Sequence, residues 1–511
     1  MRKLIQLKLS AEEYNNETFL KRQISKVSNI DLSFLSFKIM KESLDCRKVP
    51  LYNLSVVCSN NNDLPNNKPL PFLDVRNSSE ILVVGAGPCG LTAALRLIQK
   101  GLKPIIIERG KPVEERKQDI ALICRNQDVN TESNFCFGEG GAGAFSDGKL
   151  YTRSNKKGNI DDVLSLLVHF GADEKILRQT HAHIGTDKLS SILKNIRQTI
   201  INCGGEYLFE TKVEDLILKD NTVIGVKTSE GEEIFAHKTI LATGHSARDI
   251  YQLFYDNNWE IQSKPFAVGV RVEHPQELIN QIQYHSANYS PLLPPATYSL
   301  TFNNGNRGVF SFCMCPGGIV VPAMDYQGMM SVNGMSNSSR SGEKANSAIV
   351  VSVTEEDAAR YHSYGALSLM KLQQEWEEKL YINKQIAPAQ RISDFLQKRT
   401  SSTLCSSSYM PGLMSVNLSN ELPDFISENL ALGFKSFDRK MKGFITEEAL
   451  LIGLESRTSS PVRIPRKADL QHTQLKNLYP CGEGAGYAGG ITSSALDGIN
   501  TADKIASELG V

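Results

Sequence analysis

The sequence predicts an α/β protein whose main unit is a three-layer domain with a parallel sheet at its centre, preceded by a small β-α-β-β module. Three observations carry this. Over residues 81–108 a β-branched run, a glycine turn, an amphipathic helix and a second apolar run succeed one another, the order of a β-α-β unit. The first 60 residues are dominated by alternation of apolar and polar positions. Residues 477–509 return to strand, glycine loop and helix after a long stretch, 266 to about 450, that mixes strands and helices without a nucleotide signature.

At 511 residues the chain exceeds what one ordinary core fills, so two or three structural units are expected. Residues 2–9 alternate as a strand, and Ser10-Ala11-Glu12-Glu13 has the Ser-x-x-Glu form of a capping box opening a helix to about Ser28. Leu35, Phe37 and Ile39, then Leu54, Val56 and Cys58, alternate again. These make an N-terminal α+β module over 1–60, and the Asn- and Pro-rich run that follows makes a linker over 61–79. The glycine-rich segment 134–154 can bury no ordinary core element. Short alternating stretches over 205–243 predict a meander of strands.

Lys plus Arg and Asp plus Glu balance at 56 each, so no global field draws the protein to nucleic acid or to an anionic membrane. The opening MRKLIQLKLSAEEY lacks the apolar core of a signal peptide. The longest apolar stretch, Ile81 to Ile98, holds Gly85, Gly87, Pro88, Gly90 and Arg96, which rules it out as a membrane span. Ten scattered cysteines form no disulfide framework. A cytoplasmic protein acting on a small-molecule substrate, without nucleic-acid, membrane or metal partners, is expected; its oligomeric state is left open.

Gly85, Gly87 and Gly90 form G-x-G-x-x-G directly after the first strand of the β-α-β unit, and Glu108 ends its second strand 18 residues beyond Gly90. The first glycine permits the tight turn and the second lets the backbone approach a pyrophosphate. The third lets the helix opening at Pro88 pack on the sheet with its positive end toward the phosphates. Glu108 can accept hydrogen bonds from ribose hydroxyls and argues against a 2′-phosphate. This Rossmann-like fingerprint alone leaves FAD and NAD open. Two later segments favour FAD. KTILATGHSARD (239–249), with Thr243 and Gly244, resembles the second signature of FAD-binding reductase-type folds, and NLYPCGEGAGYAGGITSSALDGINTADKIA (477–506) resembles the third. In the latter, Glu483 after Gly482 stands where Asp is usual, and Gly490-Ile491 opens a helix toward the flavin. Arg109, Gly141, Ala142, Gly143 and Val213 complete the expected cofactor contacts. Gly138-x-Gly140-x-x-Gly143 and Gly484-x-Gly486-x-x-Gly489 match the fingerprint formally, but neither is followed by a strand ending in an acid. One nucleotide domain is therefore expected; NAD(P)H as a transient electron donor would bind without a Rossmann domain of its own.

The motifs resemble those of the bacterial FAD-dependent dehydrogenases, or NAD(P)/FAD-dependent oxidoreductases, largely of unassigned substrate. KESLDCRK (41–48), GEGGAGAFSDGKL (138–150), GVRVEHP (269–275), FCMCPGG (312–318), APAQRISDF (387–395), ESRTSSPVRI (455–464) and YPCGEGAGYAGGI (479–491) carry the likeness along nearly the whole chain. The resemblance implies a discontinuous FAD-binding domain over 80–265 and 451–511, an inserted α+β substrate domain over 266–450, and a 138–150 loop lying along the cofactor. It also implies an FAD-dependent oxidoreductase working by hydride transfer through non-covalent FAD.

Catalytic candidates are Cys313, Cys315 and His274. Alternation in VFSFCMC puts both sulfurs on one strand face, as flavin-facing thiols or as simple packing; a two-cysteine metal site would lack its other ligands. His274 could donate a proton beside Arg271 and Glu273, or satisfy local hydrogen bonds. Arg457 and Arg463 could grip a carboxylate or pyrophosphate, or form surface ion pairs. Cys89 and Cys481 adjoin cofactor glycines as small space-fillers. A flavin-dependent RNA-modifying protein and a regulatory flavoprotein are the alternative functions.

Overall fold

In the computed structural model, residues 2–65, 70–151 and 158–511 are described. Strand β1 (Lys3–Leu9), helices α1 (Ala11–Asn15) and α2 (Glu17–Ser28), and strands β2 (Ser36–Asp45) and β3 (Leu51–Ser59) form the N-terminal module. Its antiparallel sheet runs β1-β3-β2. Ile5, Leu7, Ile24, Leu54 and Val56 fill a core of its own. The Ser10 capping box is present, but Asn16 ends α1 and caps α2, so the single expected helix is two. The described part of the linker forms neither helix nor strand; residues 66–69 lie outside the described residues.

The central domain comprises β4 (Glu80–Val84), α3 (Pro88–Gln99), β5 (Lys103–Ile107), α4 (Val113–Cys124), α5 (Ile160–His169), α6 (Thr186–Asn202), β6 (Glu206–Leu208), β7 (Val213–Lys219), β8 (Thr222–Thr228), β9 (Glu233–Phe235), β10 (Lys238–Leu241) and α7 (Arg248–Asp256). The expected meander over 205–243 is corrected. Only β7, β8 and β9 form a three-stranded antiparallel sheet, whereas β6 and β10 join the parallel sheet. Ile240 and Leu241 of β10 are both buried because the parallel sheet is covered on both faces. Ile81, Val83 and Ile106 pack with the helices on one face, and Leu82, Val84, Ile105 and Ile107 pack with the three-stranded sheet on the other. Segment 134–154 carries no strand or long helix among its described residues, yet Phe135, Phe137 and Leu150 are buried.

Beyond the short β11 (Gln262–Ser263) lie β12 (Phe266–Pro275), α8 (Gln276–Tyr284), β13 (Thr301–Asn303), β14 (Gly308–Cys315), β15 (Ile319–Pro322), β16 (Val332–Met335) and β17 (Lys344–Val353). They are followed by α9 (Ser368–Lys379), β18 (Ala387–Arg391), α10 (Ile392–Leu396), β19 (Leu413–Ser415), α11 (Leu418–Glu421), α12 (Asp424–Lys440) and β20 (Leu450–Glu455). Their large sheet runs β13-β14-β17-β12-β20-β18-β19. Because β20 pairs with both β12 and β18, the inserted domain extends through Glu455, which corrects the boundary at 450. Then β21 (Val462–Arg463) pairs with β11, β22 (Leu478–Pro480) adds to β10 at one side of the parallel sheet, and α13 (Ile491–Leu509) closes the central domain. The parallel order is β22-β10-β4-β5-β6.

Parity along β12 sorts the inserted domain. Val268, Val270 and Val272 enter its helix-covered core, while Ala267 joins Ala348, Val350, Phe310 and Phe312 in a separate small cluster on the opposite face. That opposite face looks toward the central domain.

Candidate active site

A cavity of about 1540 Å³ runs from the glycine turn after β4 to strand β14 of the inserted sheet. A single small-molecule site typically occupies roughly 300–1,000 Å³, so this one has room for a dinucleotide and a second molecule. Gly85, Gly87, Pro88, Glu108, Arg109, Gly141, Ala142, Gly143, Val213, Thr243, Gly244, Glu483, Gly490 and Ile491 all line it. Gly90 and Gly482 lie behind the wall. A Cβ on Gly90 would stand 1.9 Å from the Gly85 carbonyl oxygen, so this position sets how closely α3 packs on β4. Gly85 itself has φ +106°, and a Cβ there would meet the Ala242 oxygen at 2.4 Å.

Glu108 is the knot of the first loop. Its carboxylate accepts hydrogen bonds from the backbone N–H groups of Ala86 at 2.9 Å, Gly110 at 2.9 Å and Gly138 at 3.0 Å. The 138–150 loop is thereby tied to the fingerprint, and Arg116 reinforces it by donating to the carbonyls of Asn134, Glu139 and Gly141. Arg109 pairs with Glu132 at 2.6 Å and Asp249 at 3.0 Å and lies over Phe137.

Two of the helices that open onto the cavity start bare. Neither α3, which begins after Gly87, nor α13, which begins after Gly490, has a capping side chain or an acid in its first turn. The first N–H groups of a helix need partners, and the positive end of its dipole favours an anion. An anionic dinucleotide laid across both ends supplies the missing acceptors, so the residues present fit FAD.

On the far wall the expected alternation of Cys313 and Cys315 fails. The ladder to β17 shifts between Phe312 and Cys315, and Cys313 takes φ +46° at the resulting bulge. Cys313 is exposed and Cys315 is buried, although both line the cavity. The bulged carbonyls are held by cations: Arg271 Nη2 donates to Cys313 O at 2.6 Å, and Lys149 Nζ donates to Met314 O. Although Cys313 opens onto the cavity, the surrounding protein desolvates its thiol and pushes it up to about 11. It is protonated at neutral pH and a poor nucleophile.

His274 is removed from the cavity. It continues the Val268, Val270, Val272 parity into the core, is wholly buried, and bonds through Nε2 to Phe444 O at 2.8 Å. Burial pushes its imidazole down to about 4. The unfolded chain, with a His pKa near 6.5, binds this proton first, so stability falls as pH drops from about 6.5 to about 4, by about 3 kcal/mol. Urea midpoints at pH 7.5 and 4.5 are expected to drop further for the parent chain than for His274→Gln; equal drops would refute this.

Glu273 instead accepts from Ser408 N at 3.1 Å. Arg463 lies over the Tyr487 ring and outside the cavity. Arg457 reaches the wall but forms no surface pair. It is held by Asp325 at 2.6 Å and Glu377 at 2.9 Å, all three buried, with Arg248 donating to Glu377 at 2.8 Å. This network joins the central domain to the inserted one beneath the cleft.

Sequence reasoning missed two long-range pairs. His245 Nδ1 stands 3.3 Å from Glu483 Oε1, both on the cavity wall. Cys89 Sγ and Cys481 Sγ are 2.9 Å apart, buried between the first and third glycine loops. Each partner lies inside a recognised motif, but nothing local announces a partner hundreds of residues away.

A pyridine nucleotide-disulphide oxidoreductase family model matches residues 79–259, and an FAD-dependent protein C-terminal domain-like model matches residues 265–458. A domain of unknown function matches residues 1–59. An uncharacterized protein of Clostridium beijerinckii is 41% identical over 512 residues, covering 95% of each chain. The chain belongs to the FAD-dependent oxidoreductases of unassigned substrate. FAD is the cofactor of this family. A tRNA uridine 5-carboxymethylaminomethyl modification enzyme of Alkaliphilus metalliredigens is 28% identical over 172 residues, 32% of this chain and 24% of that one. The solved structure of a flavin-dependent brominase has 12% identity and a TM-score of 0.40, covering 85% of this chain and 80% of that one. Among the described residues, no helix is long and apolar enough to cross a membrane, and no cluster of His, Cys, Asp and Glu could hold a metal ion.

Proposed function

We propose that this oxidoreductase is a dehydrogenase or reductase that exchanges a hydride with a small molecule lying between the cofactor loops and strand β14. The observation that carries the reading is the continuity of the cavity: the loops that seat the dinucleotide and the wall of the inserted sheet enclose one space. FAD, when bound, accepts or returns two electrons as a hydride equivalent. The chain's own residues do the rest. Glu108 orients the ribose end, and the bare start of α13 favours negative charge at the other end of the cofactor. His245 beside Glu483 can hold a proton and pass it into the cavity.

NAD(P)H is the transient donor in this reading, entering the same cavity. Anaerobic titration of the yellow holoprotein with NADH and with NADPH is expected to bleach the flavin absorbance with at least one of them. A spectrum unmoved by both overturns nicotinamide-coupled turnover and favours the regulatory flavoprotein. A salt-sensitive mobility shift with RNA would favour the RNA-modifying alternative, to which the partial likeness to a tRNA modification enzyme belongs.

A further inference from the structure

The wall that strand β14 gives the cavity is distinctive. Phe310 and Phe312 stand two apart on β14, opposite the small residues Val350 and Ala348 of β17, in the cluster that faces away from the inserted domain's helices. Both rings are only partly buried and line the cavity. They form a flat apolar shelf rather than part of a closed core.

Next to the shelf lies a second hollow of about 600 Å³. Gln283, Lys440 and Met441 line both spaces, so the two adjoin. The outer wall of the hollow is the end of β2 and the start of the β2–β3 connection of the N-terminal module, residues 43–47, and His285 adds a further basic side chain. The module is fixed there. Glu42 pairs with Arg178 at 3.0 Å and exchanges backbone hydrogen bonds with Arg178 and Thr180, while His285 Nε2 lies 3.0 Å from Cys46 O.

The charge balance of the hollow is positive. Asp45 is taken up by Arg47 through two hydrogen bonds, at 2.9 and 2.6 Å. Lys440 donates to the Thr301 carbonyl, and among the described residues no ion pair to a carboxylate is found for it. An ammonium has three donors, so Lys440 keeps capacity for an anion at the mouth of the shelf.

We infer that the substrate is an elongated apolar molecule with an anionic end, its body lying on Phe310 and Phe312 and its carboxylate or phosphate held by Lys440 in the hollow that the N-terminal module completes. This deepens the oxidoreductase reading and rests on it. The module then has a role: it walls the headgroup end of the substrate site.

Decanoate, decyl phosphate and decanol titrated into the FAD-loaded full chain test this, read by perturbation of the flavin spectrum and by calorimetry. At least one anion is expected to bind about tenfold or more tighter than decanol, as a charge-assisted hydrogen bond provides. Whichever anion is tighter identifies the headgroup. Lys440→Gln is expected to abolish the preference for the anions, and Phe312→Ala to weaken all three probes in protein that still holds FAD. Yellow protein that binds decanol as tightly as both anions, or binds none of the three, overturns the inference. Colourless protein that refuses added FAD overturns the oxidoreductase reading instead.

Discussion

Glu108→Ala is expected to give a colourless, less stable protein. The carboxylate accepts three buried backbone N–H groups, from the fingerprint turn, from Gly110 and from Gly138 at the start of the glycine loop. Each donor left without a partner costs about 1–3 kcal/mol, so a loss of about 3 kcal/mol or more is expected even before ribose contacts are counted. The fingerprint turn and the glycine loop would both loosen, because one side chain accepts from both, although the Gly140 N–H to Ala86 O bond at 2.8 Å would still link them. FAD content after purification and the thermal midpoint check this. Glu108→Gln, which keeps one carbonyl acceptor, is expected to fall between. A Glu108→Ala chain that purifies yellow and melts like its parent would refute the assignment.

The second large effect is expected at Arg457→Met. Asp325 and Glu377 are buried, and Arg457 engages both while Arg248 shares Glu377. Despite burial, which works against its charge, Arg457 holds the Asp325 carboxyl below the usual range. Removing one partner of a buried ion pair strands the other charge, at about 3–5 kcal/mol. Lys440→Gln, which also deletes a positive charge but from an exposed residue with no carboxylate partner among the described residues, is expected to stay within about 0.5 kcal/mol. Chemical denaturation of the two variants side by side separates them. Equal stability would mean that the network beneath the cleft is not an ion-pair network in solution.

What could be read from the chain was local. The run from Ile81 to Glu108 holds strand, turn, helix, strand and acid within one β-α-β unit, so spacing alone identifies each role. Position 313 was beyond that reach: alternation continues on paper through Val309, Ser311 and Cys313, and nothing in the residue types marks a bulge there. His274 misled for a related reason. Every residue of β12 from Phe266 to His274 is buried, so the strand shows no polar face from which to tell the cleft side from the core side. Only the register with β17 and β20 assigns Arg271 to one and His274 to the other. The meander failed because β6 and β10 are too short for alternation to distinguish a parallel partner from an antiparallel one. The Cys89 and Cys481 contact and the Arg457 network depend on tertiary proximity across whole domains.

The placement of β22 and α13 has a consequence for how the protein is made. A ribosome delivers the fingerprint turn and Glu108 early, but the strand that pairs with β10 and the helix that packs on α3 emerge only after the whole inserted domain. Strand β10 waits with one row of amides unsatisfied, and the apolar side of α3 waits uncovered. The inserted domain can finish first, because all its strands are out once Glu455 has appeared. Nascent chains therefore pass through a long interval with apolar surface exposed, the kind of species that chaperones retain, until the third glycine loop and α13 have emerged.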